Sequence, residues 1–275
     1  MTKYRNVRLS AFALVMLFIG IAIAGRAPGR KQRPQDNDQQ GLIKPIERIE
    51  DLRIVNDTSA FTVADIKKIS DNLFEITYRN DYSKRITGFE VSVGGMRVQT
   101  ELILGGDETQ FILPGKSFKE TYPAQEGVEE RGLRILAVVF DDGTGEGDIT
   151  YIKEITDYRI GMRAEHQRVL TKLGKVIGSK DKDIAVALEG LEGEISSTIP
   201  SNQQDSKLDN VGLGTRNEMR RMLYEIRILR SKHQNAQADA SEAEQLRKDL
   251  LVFKTRSENL VRLALPSVIY RRSTQ

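Results

Sequence analysis

Apolar and polar residues alternate through residues 51–155, and this alternation predicts β-strands. The clearest runs are residues 72–79 and 85–93, and each places one set of apolar side chains on a single face. Gly94 and Gly95 then supply a dipeptide that favours a tight hairpin turn. Turn signals recur roughly every 8–12 residues, a spacing typical of an antiparallel β-sandwich. The side chains expected to face the core are Phe74, Ile76, Tyr78, Phe89, Val91 and Val93.

The run Leu133–Phe140 is the most apolar of the predicted strands. Both of its faces are apolar, which is typical of a central strand that is covered on both sides. Further strands are predicted at residues 96–104, 109–113 and 116–122. Strict alternation along the most apolar strand gives two sets of side chains, which are Leu133, Ile135, Ala137 and Val139 on one face and Leu136, Val138 and Phe140 on the other.

From about residue 155 the apolar period changes to that of an α-helix. The first helix should end near Gly178, and a second helix should begin at Asp181 or Asp183 and stop at Pro200. The apolar face predicted for the first helix comprises Ile155, Tyr158, Met162, His166, Val169, Leu173 and Val176. The stripe predicted for the second comprises Ile184, Leu188, Leu191 and Ile195.

Residues 215–265 contain neither Gly nor Pro, and they carry two apolar heptad seams that are offset by one residue. Because no helix breaker is present, one continuous helix of about 75 Å is favoured. The alternative is a hairpin that bends near residues 235–241, where Ser241 and Glu244 form a capping box. The region is therefore predicted to be coiled-coil-prone. The expected contact core for association is Ile226, Leu229, Leu250 and Phe253.

The N-terminal 24 residues have the pattern of a secretory signal peptide. A basic start precedes an apolar run at residues 9–24, which ends in Ala22-Ile23-Ala24, the small residues that a signal peptidase recognises. This run of 16 residues is shorter than the roughly 20 that are needed to span a bilayer, so cleavage is favoured. We therefore expect export to the periplasm or the cell exterior, with membrane anchoring by an uncleaved segment as the alternative.

These signals together predict an α+β chain with several successive parts. Residues 25–48 are polar and lack apolar periodicity, so we expect a disordered linker there. The full predicted order is a signal peptide at 1–24, the linker at 25–48, a β-sandwich domain at 49–155, a helical pair at 156–199, a loop at 200–214, a long helix or helical hairpin at 215–265, and a tail at 266–275.

Three runs in the predicted strand region resemble one kind of domain. They are NLFEITYRNDYSKRITGFEVSV, LPGKSF and LRILAVVFDDGTGEGD. Together, over about residues 50–150, they are similar to the immunoglobulin-like β-sandwich domain of exported bacterial proteins. The resemblance implies an adhesive or architectural domain and implies no particular activity, because a fold does not define a function. The predicted helical region falls outside the resemblance.

Composition and charge exclude several kinds of chemistry. The 275 residues include no Cys, which excludes disulfides, thiolate metal sites and cysteine nucleophiles. The two histidines, His166 and His233, both fall on helix seams, where packing is the expected role. The net charge of +3 belongs to residues 1–24, so it does not indicate a nucleic-acid partner. Residues 25–150 carry −5 and residues 151–275 carry +5, so attraction between the two parts is a lesser alternative to two ordinary surfaces.

The densest carboxylate cluster lies at residues 141–148, directly after the most apolar strand. Its alternating oxygens suit calcium, but Lys153 stands where an EF-hand loop needs a glutamate. An exposed hairpin turn is therefore favoured, and no cofactor is expected. The same carboxylates are the basis for a remote alternative, an envelope hydrolase. The weak calcium candidates are Asp142, Thr144, Glu146 and Asp148.

Taken together, these features favour an exported, non-enzymatic structural or protein-interaction protein that associates through its helices. The alternative is a compact monomeric binding module of the cell envelope, in which the helices fold back on the second apolar face of Leu133–Phe140. The expected partner is a protein or a second copy of the chain. Nucleic acid is not expected, and a membrane is expected only if the N-terminal segment is retained. Basic residues at the start of the long helix, from Arg216 to Arg230, should form a solvated face with acidic neighbours.

Overall fold

The computed structural model describes residues 52–70, 73–123, 132–199 and 208–264. Within these ranges the chain is α+β, with eight strands followed by four helices. The predicted signal peptide, the linker, the proline that should stop the second helix and the C-terminal tail lie outside the described residues.

The strands form two sheets, and the helices follow them in the chain. The strands are β1 (Ile54–Asn56), β2 (Phe61–Ser70), β3 (Leu73–Asn80), β4 (Ile86–Val93), β5 (Met96–Glu101), β6 (Ser117–Pro123), β7 (Leu133–Phe140) and β8 (Gly145–Gly147). The helices are α1 (Ile149–Ile177), α2 (Asp181–Thr198), α3 (Asn210–Lys232) and α4 (Ala240–Leu263).

The larger sheet has the order β1-β7-β4-β5, and β8 also pairs with β7. Its pairs are antiparallel except for β1, which runs parallel to β7. The smaller sheet is antiparallel, with the order β2-β3-β6. β7 is therefore central in its sheet, as its two apolar faces predict.

A β-bulge divides β7 into two halves. Opposite β4, Ile135 pairs with Val91 and Ala137 pairs with Glu90, so Leu136 is an extra residue. The side chains beyond the bulge consequently exchange faces. Assigning alternate residues of the whole strand to one face is therefore wrong. The main core receives Leu133, Ile135, Val138 and Phe140, whereas Ala137 and Val139 pack against α1.

Aromatic side chains from both sheets meet in one core. The rings of Phe61 and Tyr78 in the smaller sheet lie 4.8 and 5.5 Å from the ring of Phe89 in the larger sheet. Such ring pairs stabilise a core beyond the apolar area that they bury. The inward-facing residues predicted on β3 and β4 are all buried, so that prediction is confirmed.

One predicted turn is confirmed and one predicted strand is wrong. Gly94 and Gly95 have φ angles of 59° and 85°, the left-handed region that a tight hairpin turn requires. Residues 109–113 do not form a strand, because Glu108–Gln110 is a 3-10 turn. The Asp107 carboxylate caps this turn by accepting a backbone N–H. Pairing in this segment is limited to an isolated antiparallel bridge between Ile112 and Ile86.

The first two helices match their predicted faces. α1 begins at Ile149, earlier than the periodicity indicates, because the Asp148 carboxylate caps it by accepting a backbone N–H. It ends before Gly178, and α2 begins at Asp181, both as predicted. The predicted apolar faces are buried, except that Tyr158 is only partly buried.

The continuous long helix is wrong, because the structure has two helices in its place. α3 ends at Lys232, and α4 begins at Ala240. His233 leaves helical geometry, and the Asp239 carboxylate starts α4 by accepting the N–H of Ser241. Asp239 therefore takes the capping role that the sequence assigns to Ser241.

The start of α3 corrects the predicted loop at residues 200–214. The helix begins at Asn210, where the Asp209 carboxylate accepts the N–H of Gly212. Glycine has a low helix propensity, so Gly212 and Gly214 weaken the helical signal in this part of the sequence.

The four helices share one apolar core, and α1 also packs on the larger sheet. α1 and α2 each contact both α3 and α4. Near its start α1 lies on β4, β7 and β8, where Ile152 and Ile155 cover Ala137 and Val139. A helix of the same chain therefore covers the second face of β7. None of the helices in the described ranges is both long and apolar enough to cross a membrane.

Candidate functional site

The residues predicted to mediate association lie inside the helical core. Ile226 of α3 and Leu250 and Phe253 of α4 are buried, and Leu229 packs against the same cluster. Their neighbours in this cluster come from α1 and α2 of the same chain. The heptad seams therefore hold the four helices together within one molecule.

The weak calcium candidates have separate structural roles. Asp142 binds Lys84, and it accepts the N–H and the hydroxyl of Thr144 at 3.0 and 2.6 Å. Although burial opposes the shift, the hydrogen bonds from Lys84 and Thr144 lower the pKa of Asp142 to about 2. Glu146 accepts two hydrogen bonds from Ser59, and Asp148 caps α1.

These carboxylates therefore hold the β7–β8 turn and start a helix. The turn favoured by the sequence is present, since β8 runs antiparallel to β7 directly after residues 141–144. Across the described ranges, no three His, Asp or Glu side chains come together in a way that would hold a metal ion.

Two groups of paired charges, each with a buried carboxylate, join the larger sheet to α1. In the first, Arg159 of α1 donates from Nε and Nη2 to Oε2 of Glu101 at 2.9 and 2.8 Å. The two side chains are 6% and 4% exposed. Arg159 also donates to the carbonyl oxygen of Thr87 at 2.9 Å. Gly88 leaves the space for this guanidinium, because a Cβ there would lie 2.6 Å from Nη2.

The second group is centred on Arg97 of β5. Its Nε donates to Oε1 of Glu90 at 2.6 Å, and its guanidinium also pairs with Glu154 of α1. The same guanidinium stacks 4.5 Å from the ring centroid of Tyr151. Burial raises the pKa of Glu90, and the hydrogen bond from Arg97 opposes this rise. Within the described ranges, Oε2 of Glu90 is buried without a hydrogen-bond partner.

A third group of paired charges, with His166 and Glu218 buried, connects α1, α3 and α4. Nε2 of His166 lies 2.6 Å from Oε1 of Glu218, which also accepts from Arg221 Nε at 2.7 Å. Arg221 Nη1 also donates a hydrogen bond to Oε1 of Glu225 at 2.9 Å, and Glu225 forms an ion pair with Arg256. Burial opposes ionisation of Glu218, but the hydrogen bond from His166 and the charge of Arg221 keep its pKa below the ordinary value.

A small cavity lies at the end of this third group, where α3 and α4 meet the loop after β5. Its volume is about 10 Å³, which is room for about one water molecule. Leu104, Gly105 and Ser257 contribute to its lining. A larger surface groove of about 290 Å³ lies between α1 and α2 and is lined by Lys172, Val176 and Leu191 among others.

The contacts between the larger sheet and the helices are therefore suited to holding these elements together. At this junction the charged side chains bind one another, and each group has at least one buried carboxylate, namely Glu90, Glu101 or Glu218. A substrate site instead needs an open pocket into which polar groups project. Breaking one member of such a pair leaves the other charge buried and uncompensated, which is strongly destabilising. The geometry accordingly supports a rigid arrangement of helices on the larger sheet.

The sequence interpretation missed the buried pair Glu101–Arg159, although a signal for it is present. Arg159 falls at helical spacing between Ile155 and Met162, so it lies on the predicted apolar face of α1. A charged residue on such a face implies a buried partner. Nothing in one sequence identifies that partner as Glu101, because it belongs to a different element.

The two histidines are buried as expected, but each also binds carboxylates. The carboxylate bound to His166 comes from α3, and those bound to His233 come from α4. Both contacts cross between helices, so helical spacing around either histidine does not reveal them. The predicted basic face runs along α3 and receives its counter-charges in part from α2, since Arg227 and Arg230 near the end of α3 both bind Glu192.

No protein-family model, curated protein or solved structure matches this chain. The similarity to immunoglobulin-like domains therefore remains a prediction from the sequence.

Proposed function

We propose that this chain is an exported, non-enzymatic binding module that acts as a compact monomer in the cell envelope. In this proposal the two sheets form an immunoglobulin-like β-sandwich that presents loops to a protein partner. The helices brace the sandwich from within the same molecule. The single observation that carries the proposal is the burial of Ile226, Leu250 and Phe253 in the chain's own helical core.

The packing of the sheets supports the sandwich. The rings of Phe61 and Tyr78 from one sheet pack, tilted, against the ring of Phe89 from the other, and both sheets contribute to the same apolar cluster. Shared inner faces are what a β-sandwich requires. The parallel pairing of β1 with β7 is a specific feature of this sheet that the resemblance does not include.

The junction supports a monomer that keeps one shape. Three groups of paired charges, each with a buried carboxylate, tie α1, α3 and α4 to one another or to the sheet. Helices held in this way cannot release their apolar seams for association without leaving charges unpaired. The proposed binding surface therefore lies outside the seams, and the proposed partner is a protein. A membrane role enters only if the N-terminal segment is retained.

Light scattering on the full chain, purified after expression and cell fractionation, tests the proposal. We expect an exported protein with the mass of one chain. Leu250→Glu should lower helicity and stability, because it places a charge in the intramolecular core. The solution mass of this variant should still be that of one chain, as for the wild type. Val252→Glu is the matched control, since Val252 is 61% exposed on the same helix.

A dimer or trimer that Leu250→Glu dissociates into helical monomers would contradict the compact-monomer proposal and restore the association hypothesis. Recovery of the chain only in the cytoplasmic fraction would contradict export. If the mass is that of one chain, photo-crosslinking in cells from positions in the sandwich loops should capture a discrete protein partner.

A further inference from the structure

His233 stands where α3 ends and the connection to α4 begins, and its side chain is 3% exposed. Both ring nitrogens face carboxylates of α4. Nδ1 lies 3.0 Å from Oε2 of Glu242, and Nε2 lies 2.9 Å from Oδ2 of Asp249. The imidazole therefore fastens the end of α3 to two separate turns of the next helix.

Hydrogen-bond chemistry makes this double contact depend on a proton. An ionised carboxylate only accepts hydrogen bonds, whereas a neutral imidazole carries one N–H and one bare nitrogen. Only the imidazolium form, with two N–H groups, can donate to both carboxylates at once.

The two carboxylates are held with different strength. Oδ2 of Asp249 accepts a hydrogen bond from Lys232 Nζ at 2.6 Å, and Oδ1 accepts one from Gln245 Nε2 at 3.1 Å. The hydrogen bonds from Lys232 and His233 lower the pKa of Asp249 to about 2, so this carboxylate stays ionised and fixed. Glu242 is 40% exposed, and it can turn toward solvent once its contact with the ring is lost.

We propose that His233 is a protonation-dependent clasp, which holds Glu242 against the end of α3 only while the ring carries two protons. The charged groups that face the ring in the described part of the chain are Glu242 and Asp249 from α4, together with Lys232 of α3 through Asp249. When the ring loses a proton, the remaining N–H stays on Nε2 with Asp249. The contact with Glu242 is lost, so the connection at residues 233–239 and the first turn of α4 loosen.

Hydrogen exchange on the full chain, corrected for intrinsic exchange rates, tests the clasp. Between mildly acidic and mildly alkaline pH, we expect amides in the first turn of α4 to lose protection by ~3- to 10-fold, the effect of losing one hydrogen bond. Amides in the middle of α2 should keep their protection. Equal protection of the first turn of α4 at both pH values would overturn the proposal.

Two variants separate the clasp from a general effect of pH. In Glu242→Gln, the amide can donate to the bare Nδ1 of a neutral ring or accept from an imidazolium, so the pH dependence should disappear. Glu244→Gln is the matched control, because Glu244 contacts Arg247 and Lys248 instead of the ring, and it should keep the wild-type pH dependence. The same pH dependence in wild type and Glu242→Gln would overturn the proposal.

Side-chain nitrogen NMR provides a direct second test, because the chain has two histidines. His166 is the internal reference: its Nε2 binds one carboxylate, and in the described part of the structure its Nδ1 has no partner. At acidic pH both nitrogens of His233 should carry protons, and at alkaline pH only Nε2 should. A ring of His233 that keeps its alkaline proton on Nδ1 would contradict the proposed release of Glu242.

Discussion

Gly161 of α1 and Gly214 of α3 lie where the two helix backbones touch. A Cβ on Gly161 would overlap the carbonyl oxygen of Val211 and would lie 2.7 Å from the backbone nitrogen of Thr215. A Cβ on Gly214 would overlap the carbonyl oxygen of Tyr158. The glycines are therefore required by the helix crossing, although each lowers the intrinsic stability of its own helix.

Gly161→Ala should separate α1 from α3 and lower the free energy of unfolding by ~2 kcal/mol or more, because the clash is with backbone atoms that cannot turn aside. The measurement is chemical denaturation followed by circular dichroism. Gly174→Ala is the matched control on the same helix, where a Cβ meets nothing within 4 Å. This control should raise the free energy of unfolding by ~0.5–1 kcal/mol. An equal rise in the free energy of unfolding for Gly161→Ala and Gly174→Ala would contradict the close backbone contact between α1 and α3.

Arg159→Leu should lower the free energy of unfolding by ~3–5 kcal/mol, because it leaves the buried Glu101 carboxylate without its partner. Adding Glu101→Leu to that variant should recover much of the loss, since it removes the uncompensated charge. Urea denaturation of the two single variants and the double variant measures this coupling. Arg134→Leu is the control, because its pair with Asp57 is half exposed and should contribute less than ~1 kcal/mol. Similar losses in the two arginine variants would contradict the special role of the buried pair.

Glu120 of β6 should make the fold less stable as pH rises. Burial raises the pKa of Glu120, and the donors that oppose this are hydroxyls, from Tyr122 at 2.7 Å and Thr100 at 3.0 Å. A carboxyl whose pKa is raised by folding contributes its stability fully below the pKa of the unfolded chain, about 4.3. That contribution is lost as pH rises through the folded pKa.

Glu120→Gln should therefore be more stable than wild type near neutral pH, and the difference should shrink toward pH ~4. Thermal denaturation across this pH range measures it. Thr100→Val is a second useful variant, because it removes a hydrogen-bond donor to the ionised Glu120 carboxylate. Its stability should fall more with rising pH than the stability of the wild type does. A Glu120→Gln variant that is destabilised equally at every pH would show that hydrogen bonding, and not the buried charge, dominates at this position.

Calcium should have no effect on stability through the β7–β8 turn. The oxygens of Asp142, Glu146 and Asp148 are engaged by Lys84, Thr144, Ser59 and the start of α1. We therefore expect the melting temperature to be unchanged by millimolar calcium and by a chelator. A rise in melting temperature with calcium, abolished by Asp142→Ala, would restore the metal hypothesis, because a ligand that binds the folded state stabilises it.

The helical faces were accessible to sequence analysis because helical periodicity is local. The face of α1 that includes Ile155 and Met162 and the stripe of α2 that includes Ile184 and Leu188 are buried as predicted. The break between α3 and α4 was only the less favoured alternative, a bend near residues 235–241, because residues 233–239 contain no Gly or Pro. The break is held by the Asp239 cap and by contacts of His233 with residues of the next helix.

In the strands and in the candidate site, too, local patterns can be predicted from the sequence, whereas contacts between elements cannot. Alternation predicts the bounds of β7, but it cannot locate the bulge at Leu136, because a bulge is defined by the register against a neighbouring strand. The charged groups at the junction pair residues that are far apart in the chain, such as Glu101 with Arg159. Their chemistry is visible in one sequence, whereas their pairing depends on how the elements pack.

The parallel pairing of β1 with β7 also has a consequence for how the chain acquires its structure. Residues 54–56 find their partners at residues 133–135, and β4 finds its central neighbour in the same late strand. A nascent chain that emerges N-terminus first therefore lacks the middle of its larger sheet until β7 follows. Contacts so distant in sequence slow folding, because a long loop must close before they form. The larger sheet and the face that α1 covers are therefore completed only after β7 has been made.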